Sequence, residues 1–282
     1  MSIVYLNGDF LPAEEASISP LDRGFIFGDG VYEVIPVYNG QLFRLPEHLD
    51  RLDNSLAGIR IEHPFNHQQW QEVLNQLIQK NGGGNQSLYL QITRGVAQRD
   101  HAFPENSSPT VFAMCNPLKP ISDKIKNEGI SAITLDDIRW RYCHLKTIAL
   151  LPNILMRQRA NEAHADEAIL VKDDRVTEGA ASNVFIVTDS TIITPPKGQY
   201  LLPGITRDLI LELALQNQIN AVEKDITIND LDSADEIWLS SSTKEILPVT
   251  QLNQRAVGSS RPGPMWQKML SLYQDFKRDY RA

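Results

Sequence analysis

The chain has 282 residues, enough to bury a sizeable core in one large domain or two medium ones, and with 42% hydrophobic and 22% charged residues it reads as globular rather than disordered. Lys and Arg total 27 against 35 Asp and Glu, a formal net charge of -8, so no global positive field exists to gather a phosphate backbone, which argues against nucleic acid. MSIVYLNGDF lacks a basic segment followed by an apolar one, no later stretch has the length of a membrane span, and Cys115 and Cys143 lack the spacing of a zinc ribbon or redox motif; a cytoplasmic protein with reduced thiols is expected.

The first expected element is a hairpin, SIVYLNGDFLP, turning on Asn7-Gly8; a second turn at Asn39-Gly40 separates VYEVIPVY from QLFRL. Pro46 opens a helix, PEHLDRLDNSLAGI, with Leu49, Leu52, Leu56 and Ile59 as its apolar stripe and Arg51 off that stripe. A helix near 67–80 ends in NGGGN, and SLYLQITRG resumes as a strand. NPLKPIS is the candidate linker, because two prolines interrupt a stretch without apolar periodicity. Beyond it come a strand near 130–138, a helix from about Pro152, a hairpin running from EAILV through Lys172-Asp173-Asp174-Arg175 into NVFIV, the helix TRDLILELALQNQ and the strand DEIWLSS. The expected organisation is an N-terminal domain over 1–116, a linker over 117–122 and a C-terminal domain over 123–282, of mixed α+β or α/β class. His63 and His67 are four apart, but Pro64 opposes a continuous helix that would aim both at one metal, so no metal site is expected.

Four groups carry chemistry. Lys146 stands in HLKTIALLPNILM, a largely apolar run; lysine is seldom buried without a partner, and desolvation favours the neutral, nucleophilic amine. A stem lying on apolar surface with its charge in water is the ordinary alternative. Gly204-Ile205-Thr206 precedes an apolar helix, with Thr206 the expected N-cap, and the free first amides and dipole of such a helix suit an anion. Ser240, Ser241, Ser242 and Thr243 place successive hydroxyls beyond a strand, and Glu178 lies in a turn of small residues, RVTEGAASNVF. Each has a bland explanation alone, as polar loop or cap. Together, a nucleophilic lysine, a carboxylate for a ring nitrogen and an anion cradle are what pyridoxal 5'-phosphate (PLP) requires.

DRGFIFGDGVYEVIPVYNG, EHLDRL, TRGVAQRDHAFPEN, HLKTIALLPN, VTEGAASNVF, LLPGITRD and SSSTKEILPV, in this order, resemble the fold-type IV PLP-dependent transaminases, and within them the D-amino acid transaminases. The resemblance implies a two-domain fold with the cofactor site between the domains. It places Lys146 on the Schiff-base lysine, Glu178 on the carboxylate facing the pyridine nitrogen, Arg51 on the phosphate arginine and Leu202 on a buttress of the ring. Ile205 and Thr206 match the phosphate-binding amides, and Ser241 and Ser242 the hydroxyl loop. The D-amino acid branch traps the substrate carboxylate with a tyrosine and an Arg-x-His pair, here Tyr32, Arg99 and His101; in that family the pair reaches into a neighbouring subunit's site, implying a homodimer. The implied reaction is ping-pong transamination of a D-amino acid with 2-oxoglutarate or pyruvate through pyridoxamine phosphate. (R)-amine and branched-chain transaminases and 4-amino-4-deoxychorismate lyases share this machinery and differ in the outer pocket. Arg99-x-His101 opposes the lyase, and the joint presence of Lys146, Glu178 and Arg51 opposes a non-catalytic PLP-binding protein.

Overall fold

The computed structural model of the protein describes residues 2–280. Two compact units make up the chain: one runs to Lys119 and takes in Leu145–Leu150, and the other comprises Pro120–His144 and Leu151–Tyr280.

In the first unit the elements are β1 (Ile3–Leu6), β2 (Asp9–Pro12), α1 (Arg23–Phe27), β3 (Gly30–Tyr38), β4 (Gln41–Leu42), α2 (Leu45–Gly58), α3 (His67–Lys80), β5 (Gln86–Thr93) and β6 (Thr110–Pro117). Every strand pair of its sheet, ordered β2-β1-β6-β5-β3-β4, is antiparallel. Both Asn-Gly turns are where the dipeptides place them, with positive φ at Asn7 and Gly8 and at Asn39 and Gly40, which is the geometry that twists two strands into a tight hairpin. Asn66 and Gln69 form a capping box at the start of α3. Leu49, Leu52 and Leu56 of α2 and Trp70, Leu74 and Leu77 of α3 pack on Val31, Ile35, Leu88 and Leu90 of the sheet.

The second unit contains α4 (Asp123–Glu128), β7 (Ile130–Asp136), α5 (Leu151–Glu162), β8 (Glu167–Lys172), β9 (Arg175–Gly179), β10 (Asn183–Thr188), β11 (Thr191–Thr194), α6 (Ile205–Gln216), β12 (Ala221–Glu223), α7 (Ile228–Asp232), β13 (Glu236–Ser241), β14 (Glu245–Leu252), β15 (Arg255–Ala256) and α8 (Pro264–Asp279). Its sheet runs β12-β11-β10-β13-β14-β7-β8-β9, with β7 parallel to both neighbours. One sequence expectation is corrected here. The hairpin that begins with EAILV closes on β9, RVTEG, whereas NVFIV is β10 and pairs with β11 and β13. The strand that follows the turn bears Thr177 and Glu178, polar groups that hide a strand from a reading based on apolar runs. The tail after residue 250 ends in α8, whose first amides, Met265 and Trp266, donate to the Glu236 carboxylate at 2.8 Å each. No helix among the described residues is long and apolar enough to cross a membrane.

Candidate active site

Lys146 belongs to the first unit, although the segments flanking Leu145–Leu150 on both sides in the chain belong to the second. Its backbone is fixed at three points: its N–H donates to Ser55 Oγ of α2 (3.1 Å), its carbonyl accepts from Tyr32 N (2.9 Å), and Ile148 N donates to the Gly30 carbonyl (3.1 Å). The segment packs closely on two glycines: a Cβ on Gly58 would lie 2.5 Å from a Leu145 methyl, and one on Gly30 would lie 3.0 Å from an Ile148 methyl. The side chain is half-buried, with Nζ 4.1 Å from the centroid of the Tyr32 ring. Among the described residues Nζ has no hydrogen-bond or ion-pair partner. An amine held firmly at its backbone and left unpaired at its end can act as nucleophile or base.

Arg51 is not on a solvated helix face. It is buried with His48 and Ser55, so the inward side of α2 is wider than its leucine stripe. Arg51 Nε and Nη2 donate to the two oxygens of Glu33 at 2.8 Å each, and His48 Nδ1 lies 2.8 Å from Glu33 Oε2. Burial pushes the Glu33 carboxyl up, but the Arg51 charge and its hydrogen bonds outweigh this and hold it well below the usual carboxylate range. Burial likewise lowers the His48 imidazole. Neither Glu33 nor His48 stood out in the sequence. The available signal was the alternation of β3: Val31, Glu33, Ile35 and Val37 are all buried, so Glu33 occupies a core position and requires a cation.

In the second unit, Glu178 is buried near the end of β9. One oxygen is bound by Arg139 Nη1; the other accepts from the Leu202 amide (3.0 Å) and Asn183 Nδ2 (3.2 Å). Arg139 is itself held by Asp137, through Nε to Oδ1 (2.9 Å) and Nη2 to Oδ2 (2.8 Å), and Thr177 Oγ1 donates to the same Oδ2 at 2.8 Å. One guanidinium thus faces two carboxylates. Burial pushes the Glu178 carboxyl up despite the Arg139 charge and the Leu202 amide, whereas Asp137, with the larger share of Arg139, is held low. The cluster has a surplus negative charge, which suits a cationic N–H. Asp137 and Arg139 were not foreseen, because DDIRW reads as a polar strand end.

Leu202 is joined to this cluster by its amide and by its carbonyl, which accepts from Asn183 Nδ2 at 2.9 Å. The chain then enters α6 at Gly204, which caps no amide with a side chain and would drive a Cβ to 1.9 Å from Asn183 Oδ1. The N-cap is thus Gly204 and not Thr206, which lies inside the helix, and the amides of Ile205 and Thr206 open it without intrahelical acceptors. Ser240, directly opposite Asn183 across β10 and β13, is 1% exposed and its Oγ has no hydrogen-bond partner. Ser241 Oγ accepts from Lys244 N (3.3 Å), and Ser242 begins the turn into β14. Uncapped amides and an unsatisfied buried hydroxyl make this end of the unit suited to an anion.

Arg99 and His101 lie in an exposed loop of the first unit and share one ring: the Arg99 guanidinium is 5.3 Å and the His101 ring 5.5 Å from the centroid of Phe27. They are brought together as a pair. Tyr32 stacks with Tyr89 at 5.7 Å on its sheet. His63 lies in a loop and His67 at the start of α3, so no continuous helix joins them; each lies 2.8 Å from a different oxygen of Asp53, and Asp50, Asp53 and His67 offer ligand atoms within 4.8 Å of one another.

The chain is 41% identical over 96% of its length and 96% of the other's to a D-alanine aminotransferase of Bacillus licheniformis, and 37% identical over 95% of each to one of Staphylococcus haemolyticus. Among solved structures, the branched-chain amino acid aminotransferase of Escherichia coli superposes with a TM-score of 0.93 at 26% identity, covering 97% of this chain and 93% of that one. The branched-chain aminotransferase of the thermophilic archaeon Thermoproteus uzoniensis, solved with norvaline, gives 0.88 at 26% identity, covering 98% of this chain and 95% of that one. The family model for amino-transferase class IV matches residues 30–252, a span that contains Tyr32, Arg51, Arg99, His101, Lys146, Glu178 and the start of α6. This chain belongs to the amino-transferase class IV family.

Proposed function

We infer that this protein is a PLP-dependent aminotransferase that moves the amino group of a D-amino acid to a 2-oxo acid such as 2-oxoglutarate or pyruvate. The observation that carries the reading is Lys146, pinned along its backbone yet unpaired at Nζ, in a chain that resembles D-alanine aminotransferases over nearly its whole length. The residues present fit the cofactor. Glu178, in a cluster with surplus negative charge, suits the pyridine N–H, and the Leu202 backbone is tied to it. The uncapped amides of Ile205 and Thr206 suit the phosphate, as do the hydroxyls of Ser241 and Ser242, and the resemblance of EHLDRL assigns Arg51 to the phosphate as well. Lys146 would hold the carbonyl end until the donor's amine takes its place, which frees Nζ to act as a base.

Bound there, PLP supplies an electron sink for the pair left when the α-hydrogen departs as a proton. The protein's residues do the rest. Lys146 Nζ takes that proton and returns it, and Glu178 keeps a proton on the ring nitrogen. Tyr32 and the Arg99–His101 pair hold the donor's carboxylate, by a charge-assisted hydrogen bond from the guanidinium and directed donors from phenol and imidazole. Fixing the carboxylate decides which face of the α-carbon meets Lys146, and hence the D preference.

Within this reading the protein is a homodimer in which the partner subunit's Arg99 and the partner subunit's His101 serve the site. What supports this is apolar surface: Phe25 is 78% exposed in the first unit, and Leu151, Ile154 and Leu155, one face of α5, are 66%, 60% and 48% exposed in the second. Cytoplasmic residence belongs to the same reading and agrees with two unpaired, buried cysteines. The branched-chain structures give the second reading. Incubating the purified protein with D-alanine, L-leucine and (R)-1-phenylethylamine, each with 2-oxoglutarate or pyruvate, separates the three. D-alanine should be the good donor; preference for L-leucine or for the amine would refute the D-amino acid assignment.

A further inference from the structure

The loop bearing Arg99 and His101 is exposed, yet its backbone is gripped from below. Its root is closed where Gly95, at φ +91°, passes so near Ser108 that a Cβ would lie 1.9 Å from that carbonyl oxygen. Alongside, Asp22 bridges Val96 in antiparallel fashion, and Arg23 N donates to the Gly95 carbonyl at 2.9 Å. The Arg23 side chain, 4% exposed, then reaches into the loop: Nη1 donates to the carbonyls of Asp100 (2.6 Å) and Ala102 (3.3 Å), which flank His101 on both sides. Its Nε is anchored on Asp29 Oδ2 at 2.8 Å. Asp29 in turn accepts from Arg94 Nε (2.8 Å) and Nη2 (2.9 Å), and Arg94 donates to the carbonyls of Ile59 (2.7 Å) and Arg60 (2.9 Å), connecting the grip to the end of α2. The Arg23 guanidinium also lies 4.8 Å from the Phe27 ring that carries Arg99 and His101, and that of Arg94 lies 3.7 Å from Phe103.

A buried guanidinium that spends its donors on loop carbonyls fixes the loop more firmly than a turn could alone, because freeing it would strand a desolvated charge. We propose that Arg23, anchored on Asp29, is the positioning residue that presents Arg99 and His101 as a preformed pair for the carboxylate of the amino donor. This rests on the reading of that pair given above. Preorganisation acts on binding: a loop that must be ordered at each encounter weakens the substrate without altering the chemistry at Lys146.

The test uses the holoenzyme of wild type, Arg23→Gln, Arg23→Lys and Arg99→Ala, with steady-state kinetics on D-alanine and hydrogen exchange of the amides at 98–103. Arg23→Gln should raise KM for D-alanine about tenfold with kcat within about twofold, the effect of losing roughly one charged hydrogen bond, and should speed exchange in 98–103 alone. Arg23→Lys, whose single ammonium cannot serve Asp29 and both carbonyls together, should fall between. Unchanged exchange, or a fall in kcat with KM unmoved, overturns the proposal; if Arg23→Gln does not fold, the same two readouts on Arg23→Lys decide. Arg99→Ala keeps the two failures apart. A KM for D-alanine left unmoved by Arg99→Ala would remove the carboxylate reading and the proposal with it, whereas a raised KM there with a normal KM in Arg23→Gln refutes the role of Arg23 alone.

Discussion

Each unit buries a cluster of arginine and carboxylate, and the two are balanced oppositely. In the first, one carboxylate, Glu33, is met by Arg51 and His48; in the second, one guanidinium, Arg139, is divided between Asp137 and Glu178. Glu33 is therefore a fixed anion whose carboxyl is held low, while burial pushes the under-compensated Glu178 up. The difference separates a carboxylate whose work is to hold Arg51 in place from one that is left short of positive charge. A carboxylate with all the positive charge it needs has nothing left to offer a ligand, and one that lacks it retains an affinity for an N–H proton.

The sharpest test lies outside both clusters. Lys146→Ala should abolish transamination, and borohydride treatment of the wild-type holoenzyme should fix the cofactor to the peptide containing Lys146; a label on another lysine would show that the unpaired ammonium is not the reacting one. Glu33→Gln should cost about 3–5 kcal/mol of stability, because it strips the carboxylate from a buried arginine. Urea unfolding measures it, and a loss below about 1 kcal/mol would mean that the pair behaves like a surface one. Glu178→Gln should do the reverse: leave the stability of the apoprotein nearly unchanged and slow the single-turnover reaction with D-alanine by about 10²–10³. Equal single-turnover rates would reduce Glu178 to a turn cap.

Acid gives the smallest but most discriminating contrast. The folded pKa of Glu33 lies below its ordinary value of 4.5, so its contribution to stability is complete above that value and is lost only as pH falls through the lower folded one. For Glu178 the folded value lies above 4.5, so its contribution is present below 4.5 and lost as pH rises through the folded value. Lowering pH from neutrality toward about 4.5 should thus stabilise wild-type apoprotein relative to Glu178→Gln and leave the gap to Glu33→Gln flat. Urea midpoints across that range would show it; parallel curves for both variants would collapse the comparison.

Much of this was legible beforehand where the controlling interaction is local. Asn7-Gly8 and Asn39-Gly40 set their hairpins because the backbone conformation is decided within the dipeptide. The Asn66–Gln69 capping box that opens α3 is a local signal of the same kind, whereas α6 begins at Gly204 and not after a Thr206 cap, since only a glycine fits beside Asn183 there. What failed was partnership. The NVFIV segment has the pattern of a hairpin arm, yet β10 leaves β8 for β13, because strand order depends on which sheet edge is open and not on the pattern of either strand. Arg51 was visible as a residue off its stripe, but Glu33 was hidden in an apolar strand and Arg139 in a polar stretch, since a buried charge is explained only by the residue opposite it.

The amino-acid sequence by itself determined most of the elements, the turn positions and the chemical types available: a lysine in an apolar run, a carboxylate among small residues, a helix start after a glycine and an Arg-x-His loop. Tertiary structure decided which of these are paired and which are left available. It returned Leu145–Leu150 to the first unit through contacts with Ser55, Gly30 and Tyr32, far away in the chain, and left Nζ of Lys146 without a partner among the described residues. It also gave Arg51 a carboxylate of its own while making Glu178 share one guanidinium with Asp137. Local propensity acts over a few residues, whereas the charge state of a buried group is set by all that surrounds it within several ångströms, whatever its distance along the chain.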